Sequence, residues 1–156
     1  MLDTRLRIHD SPLARVHMKT PGAAGYSGTP LAKKLGIKQG SHVFLLGAPE
    51  DLGSLLEPLP AGVVFESDAG PIVDVAHIFV TRKGDLARHL GVLRRKLRTD
   101  AALWVSWPKK ASRVPSTVTE DTIRELALPL GFVDIKICAV SEVWSGLKLV
   151  VRKGLR

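Results

Sequence analysis

The run His42-Val-Phe-Leu-Leu-Gly-Ala48 is apolar without alternation, and Gly40 and Pro49 bound it. A strand with one wet face alternates. An unbroken run of this length reads as a strand buried on both faces, the mark of a parallel sheet. Asp74-Val-Ala-His-Ile-Phe-Val80 is a second such strand, and Leu103-Trp-Val-Ser-Trp107 is a further one. Strands of this kind need helices above and below them, which narrows the chain to an α/β architecture. The material for a core is present: 45% of the 156 residues are hydrophobic and 24% are charged. A chain of this length buries roughly 68–70% of its extended surface on folding. That composition excludes disordered, collagenous and low-complexity classes. The longest apolar run, Val43 to Pro49, is far short of the roughly 20 residues that a membrane helix requires.

The helices are read from spacing and caps. Thr29 suits an N-cap and Pro30 the first helical position, so a short helix is expected to run from there to Gly36. Glu50 to Glu57 reads as a second short helix, and Gly62-Val-Val-Phe-Glu66 as a short strand. From Gly84 to Arg98, Leu86, Leu90, Leu93 and Leu97 recur at spacings of four, three and four, which places them on one helix face. Thr119 caps a further helix. Glu120 and Asp121 lie in its first turn, Ile123, Leu126 and Leu130 form its stripe, and Gly131 stops it.

The last two strands alternate. Val133, Ile135 and Ile137 are the apolar phase of one, and Leu147, Leu149 and Val151 that of the other. Each is expected to turn its apolar phase to the core and to leave one face wet, and the short link makes them an antiparallel hairpin at one end of the sheet. The expected architecture is a three-layer, mostly parallel sheet over residues 29–156, preceded by a flexible arm and loop over residues 1–28. The closing helix, strand and hairpin resemble the end of the class I methyltransferase fold. The resemblance covers Val43 to Arg152 at the level of element order, and it makes the chain Rossmann-like.

In such sheets ligands bind outside the carboxyl ends of the strands. The first of these turns is Gly47-Ala-Pro-Glu-Asp51. A dinucleotide site wants several glycines there and free amides facing phosphate. Here Ala48 and Pro49 follow the single Gly47, Pro49 has no amide hydrogen, and Glu50 and Asp51 repel a phosphate. S-adenosylmethionine is cationic and phosphate-free, so these acids do not exclude it as a cofactor. Glu66 ends the next strand, where the methyltransferase resemblance implies an acid on the ribose hydroxyls; an ordinary solvated carboxylate is the plainer reading. Trp107-Pro-Lys-Lys110 is the most site-like stretch. An aromatic beside Lys109 and Lys110 can stack a base or hold an anion, whereas Trp104 reads first as core.

Basic residues gather on one helix. The chain carries +8 overall, and Arg82 to Arg98 contributes seven cations against one aspartate. Arg88, Arg94, Arg95 and Arg98 fall away from the leucine stripe. They offer a face to nucleic acid or to an acidic partner, and they equally describe a solvated helix surface. The five histidines form no metal-ligating pair, and His42 and His77 read as satisfied strand residues. Tyr26-Ser-Gly-Thr29 is no nucleophile elbow, because it lacks the second glycine and follows no strand. The one cysteine, Cys138, falls on the polar phase of its strand; it suits a reducing cytoplasm and excludes a cysteine zinc site.

Several separate motifs carry a family resemblance. They are Gly25-Tyr-Ser-Gly-Thr-Pro-Leu31, Lys34-Leu-Gly-Ile-Lys38, Leu103-Trp-Val-Ser-Trp-Pro-Lys109, Leu130-Gly-Phe-Val-Asp-Ile-Lys136 and Trp144-Ser-Gly-Leu-Lys148. Together they resemble a family of small bacterial proteins called domain of unknown function 3052, over about residues 25 to 153. The resemblance implies a bacterial cytoplasmic protein and no particular activity. The leading expectation is a non-catalytic Rossmann-like domain that binds a small molecule or a protein partner. The alternatives are an S-adenosylmethionine-dependent enzyme with a degenerate glycine loop and a nucleic-acid-associated protein using helix 82–98.

Overall fold

A computed structural model describes residues 28–156. The expected arm, apart from Gly28, lies outside the described residues, as do Tyr26 and Ser27. The elements run in the expected order: α1 (Leu31–Lys34), β1 (His42–Leu46), α2 (Leu52–Leu56), β2 (Val64–Glu66), β3 (Val75–Phe79), α3 (Lys83–Lys96), β4 (Ala102–Pro108), α4 (Glu120–Ala127), β5 (Phe132–Ala139) and β6 (Trp144–Val151). One sheet of six strands runs in the order β2-β1-β3-β4-β6-β5. Pairing is parallel from β2 through β4 and antiparallel at β4–β6 and β6–β5. The chain leaves β1 for β2 on one side and then crosses back to β3 on the other, so the order reverses at β1.

The central strands are dry on both faces. Towards α3 and α4, the strand residues Phe44, Ala76, Ile78, Leu103, Val105, Trp107, Leu147 and Leu149 meet Leu86, Leu90, Leu93 and Ile123. Burying each of the α3 leucines contributes roughly 1.5–3 kcal/mol. Towards α1 and α2, Val43, Leu45, Val75, Phe79 and Trp104 meet Leu35, Ile37, Leu52 and Leu56. Trp104 is fully buried, and its indole N–H donates to the carbonyl of Leu35 at 2.9 Å, tying α1 to the middle of the sheet.

Local chemistry sets the boundaries. Thr119 caps α4: its hydroxyl accepts from the Thr122 amide, and the Thr122 hydroxyl accepts from the Thr119 amide. Arg124 on that helix bonds Glu120, Asp121 and, at 3.0 Å, Asp134 at the start of β5. Gly131 ends the turn with φ of 98°, a conformation only glycine adopts freely. At α1 the cap is Pro30, one position beyond Thr29, and the helix is a single turn. The β2–β3 connection, residues 67–74, contains no helix. Ala69 and Val73 pack it against the α3-side core, so a loop covers β1 there.

The hairpin departs from expectation in one strand. Leu147, Leu149 and Val151 are buried as expected, but Ile135 and Ile137 are 55% and 51% exposed. The register breaks between Asp134 and Lys136, which inserts a residue and reverses the facing of the residues beyond it. Phe132 is buried in the α3-side core. Past the bulge, Cys138 packs against the opposite cluster instead of facing water, and burial raises its thiol pKa.

Replacing Trp104 with Phe removes the donor to the Leu35 carbonyl and leaves a void. The expected loss is roughly 2–3 kcal/mol, a fall of roughly 5–10 °C in Tm by calorimetry. An unchanged Tm would show that α1 is held without this bond.

Candidate functional site: the carboxyl ends of the parallel strands

The turn after β1 is pressed onto its neighbour. Gly47 has φ of 71°, and a Cβ placed on it would lie 2.8 Å from the Phe79 carbonyl oxygen at the end of β3. Backbone therefore meets backbone where the strand order reverses. Ala48 packs into the α1-side core, whereas Glu50 and Asp51 are exposed. The Leu52 amide, opening α2, donates to the Pro49 carbonyl at 3.1 Å.

Glu66 does not open into this crevice. Its carboxylate lies 2.6 Å from Nδ1 of His42, two pairing positions back along β1. The His42 amide donates to Asp74 at 2.8 Å. Arg98 then binds Asp74 at 2.9 Å, Asp100 at 2.8 Å and the Pro71 carbonyl at 2.7 Å. Burial pushes the Asp74 carboxyl up, but the His42 amide and the Arg98 guanidinium outweigh it and hold it below its ordinary range. This chain of bonds links the ends of β1, β2, β3 and α3. Sequence spacing carries no signal for it, because apart from Arg98–Asp100 its bonds join residues 24 to 32 apart.

The Trp107–Lys110 stretch divides. Trp107 is 8% exposed and belongs to the α3-side core. Lys110 is exposed and opens a short 3-10 turn, and the Lys109 amide donates to the Val143 carbonyl at 2.7 Å. The loop behind them reaches back to α3: the Thr117 hydroxyl accepts from the Lys83 amide at 2.8 Å. On α3, Arg88 bonds Asp85 and Arg94 bonds the Leu130 carbonyl, each at 2.9 Å. With Arg98 committed as above, three of the four candidate basic-face arginines serve the fold; Arg95 is exposed.

A cavity of about 430 Å³ lies beside these ends, on the α3 face of β1. Phe44, Leu46 and Ala69 form its floor, and Asp68, Arg88 and His89 stand around it. Deeper in the sheet, Nε2 of His77 lies 2.7 Å from the Ser106 hydroxyl, and the imidazole stacks on Phe79 at 4.2 Å. Both residues are fully buried, so this pair has no route to a substrate. Burial lowers the His77 pKa to about 3. Among the described residues, no group of three or more His, Cys, Asp and Glu could hold a metal ion, and no helix is long and apolar enough to cross a membrane.

Residues 32–153 match the family described as protein of unknown function (DUF3052), and the chain belongs to that family. No curated protein sequence matches it. Among solved structures it is similar to a candidate type 11 methyltransferase from Sulfolobus solfataricus, with 15% identity over 83% of this chain and 92% of that one and a TM-score of 0.53. An S-adenosylmethionine-dependent methyltransferase from Clostridium acetobutylicum shares 7% identity over 78% and 87%, with a TM-score of 0.52. Fibrillarin from Aeropyrum pernix, solved with natively bound S-adenosyl-L-methionine, shares 14% identity over 77% and 73%, with a TM-score of 0.50. The likeness is one of fold: an α/β, class I methyltransferase-like sheet with a C-terminal antiparallel hairpin.

The buried imidazole makes stability depend on pH. An unfolded histidine titrates near 6.5, above the folded value of about 3. Between those values the unfolded chain binds the extra proton. This contribution is therefore complete above pH 6.5 and is lost as pH falls towards 3. Urea unfolding at pH 7, 5 and 4 should show this group removing up to about 1.4 kcal/mol per pH unit. In His77→Gln, which keeps a partner for Ser106, that part of the slope should vanish; an unaltered slope would locate the loss elsewhere.

Proposed function

We propose that the chain is a non-catalytic, Rossmann-like protein that binds a small molecule or a protein partner at the carboxyl ends of its parallel strands. The observation that carries this reading is the engagement of Glu66 by His42. The acid at the end of β2 is held by its own fold, 2.6 Å from an imidazole. Two further features support it. Gly47 brings the turn after β1 against the Phe79 carbonyl, and Pro49 removes one of the amides that would face a ligand. The cavity of about 430 Å³ beside β1 falls within the size range of small-molecule sites. We place the binding residues on the turn Gly47, Ala48 and Glu50 and on the half-buried Lys109 and the exposed Lys110. A reducing cytoplasm suits the single, half-buried Cys138.

A second reading is an S-adenosylmethionine-dependent enzyme with a reduced glycine loop. The positive φ of Gly47 at the end of β1 favours it, together with the fold of the neighbours named above. Nucleic-acid binding by α3 is the weaker alternative, because Arg88, Arg94 and Arg98 already have partners within the fold.

Titration with S-adenosylhomocysteine in a thermal-shift assay separates the first two readings. The binding-protein reading expects no change in Tm. A ligand at 100 times its Kd adds roughly 2.7 kcal/mol, which at this chain length is a rise of roughly 5–10 °C. Such a rise, abolished in Glu66→Ala and accompanied by methyl transfer to an acceptor, would replace the non-catalytic reading with the enzymatic one.

A further inference from the structure

At the other end of the sheet the chain gathers cations that, among the described residues, no carboxylate opposes. The β5–β6 register sets Lys136 directly across from Lys148 on an antiparallel pair. Like charges in that relation repel. Lys136 donates to the Lys34 carbonyl at 3.4 Å, at the end of α1. The ammonium of Lys148 lies beneath the Gly36 turn, 3.9 Å from where a Cβ would stand. Lys38 sits on the same loop, and with Lys148 it lines a cavity of about 420 Å³ at the amino ends of β1, β3 and β4.

The carboxylates of that cavity are already engaged. Asp74 and Asp100 are both held by Arg98, and Asp74 also accepts from the His42 amide. Among the described residues neither Lys38 nor Lys148 has a carboxylate partner. The cost is visible at Lys148. Burial lowers its pKa first, and the neighbouring charges of Lys136 and Lys38 lower it further. Two ammonium groups without carboxylates, converging on a recessed space, are what a small multivalent anion requires. Each offers three donors on a flexible stem and suits a phosphate as a point charge.

We propose that this amino-edge cavity binds a small anion of the phosphate class, free or as the phosphoryl group of a small molecule, between Lys38 and Lys148. Lys136 raises the local potential without facing the cavity. The recess favours a small molecule over a nucleic-acid backbone, which needs an extended track of cations. The site lies across the sheet from the turn after β1, so it stands or falls independently of the reading given for that edge.

The test uses the full chain, with inorganic phosphate and a simple sugar phosphate as probes and sodium chloride at matched ionic strength as the reference. Phosphate also stabilises proteins through exclusion from their surfaces, so the readout is the difference between wild type and variants. A millimolar site at tenfold excess should raise the wild-type Tm by roughly 3–6 °C above that general effect. Lys148→Met and Lys38→Met should lose the specific rise, and Arg95→Gln on α3 should keep it. Without phosphate, Lys148→Met should melt at or above the wild-type temperature, because one of two opposed charges is gone. A response to both probes marks a phosphorylated small molecule, and a response to phosphate alone marks the free anion. Equal shifts in wild type and both lysine variants would overturn the proposal. So would a DNA duplex that raises Tm when neither probe does.

Discussion

Every residue of β3 is buried, and the remaining architecture is built around that constraint. A strand without a wet face needs neighbours on both edges and cover on both sides. The edges are supplied by β1 and β4, both parallel to it. The cover is supplied by α3 and α4 on one side and by α1 and α2 on the other. The helices on the second side are short, four and five residues, and are stable only because the sheet receives their apolar faces. The same dryness explains the state of His77. A polar ring at the centre of such a strand needs a partner and must stay neutral, and the Ser106 hydroxyl supplies the first condition at 2.7 Å.

Local pattern was the part of the fold that could be read in the sequence. Unalternated apolar runs marked the buried strands, and the leucine stripe marked α3. Thr119, Glu120 and Asp121 marked the start of α4. The order of elements and the closing hairpin came from these. Features set by pairing between distant segments were not legible. The bulge that turns Ile135 and Ile137 outward depends on how β5 lies against β6, and nothing in Val133 to Cys138 announces an extra residue. The site was legible in part for the same reason. Strand ends could be named, so Gly47, Glu66 and Trp107 could be singled out. That Glu66 leans back to His42 and that Trp107 faces α3 are consequences of register and twist. The cations at 38, 136 and 148 were invisible as a group, because the chain brings them together from both ends of the fold.

The two ends of the sheet differ in how their polar groups are settled. At the carboxyl ends, backbone closes on backbone at Gly47, and acid meets imidazole at Glu66. At the amino ends, Arg98 collects the carboxylates, and the lysines are left with one another. Arg98 thus has two effects. It fastens the end of α3 to the start of β3, and it withdraws from Lys38 and Lys148 the negative charge that would otherwise neutralise them. A fold shared with S-adenosylmethionine-binding proteins therefore presents a different distribution of unsatisfied groups from the one its strand order suggests.

The interruption in β5 bears on what this edge of the sheet can accept. An outer strand of eight residues with two bare isoleucines would ordinarily invite another strand to add alongside, and the addition could repeat without limit. The inserted residue at Ile135 throws the outward-facing amides and carbonyls out of step halfway along. Lys136 then sets a charge in the middle of any incoming ladder. A newcomer could match one half of the strand or the other but not both. Along this edge of the described residues, the break in spacing and the charge at Lys136 both work against the addition of a further strand.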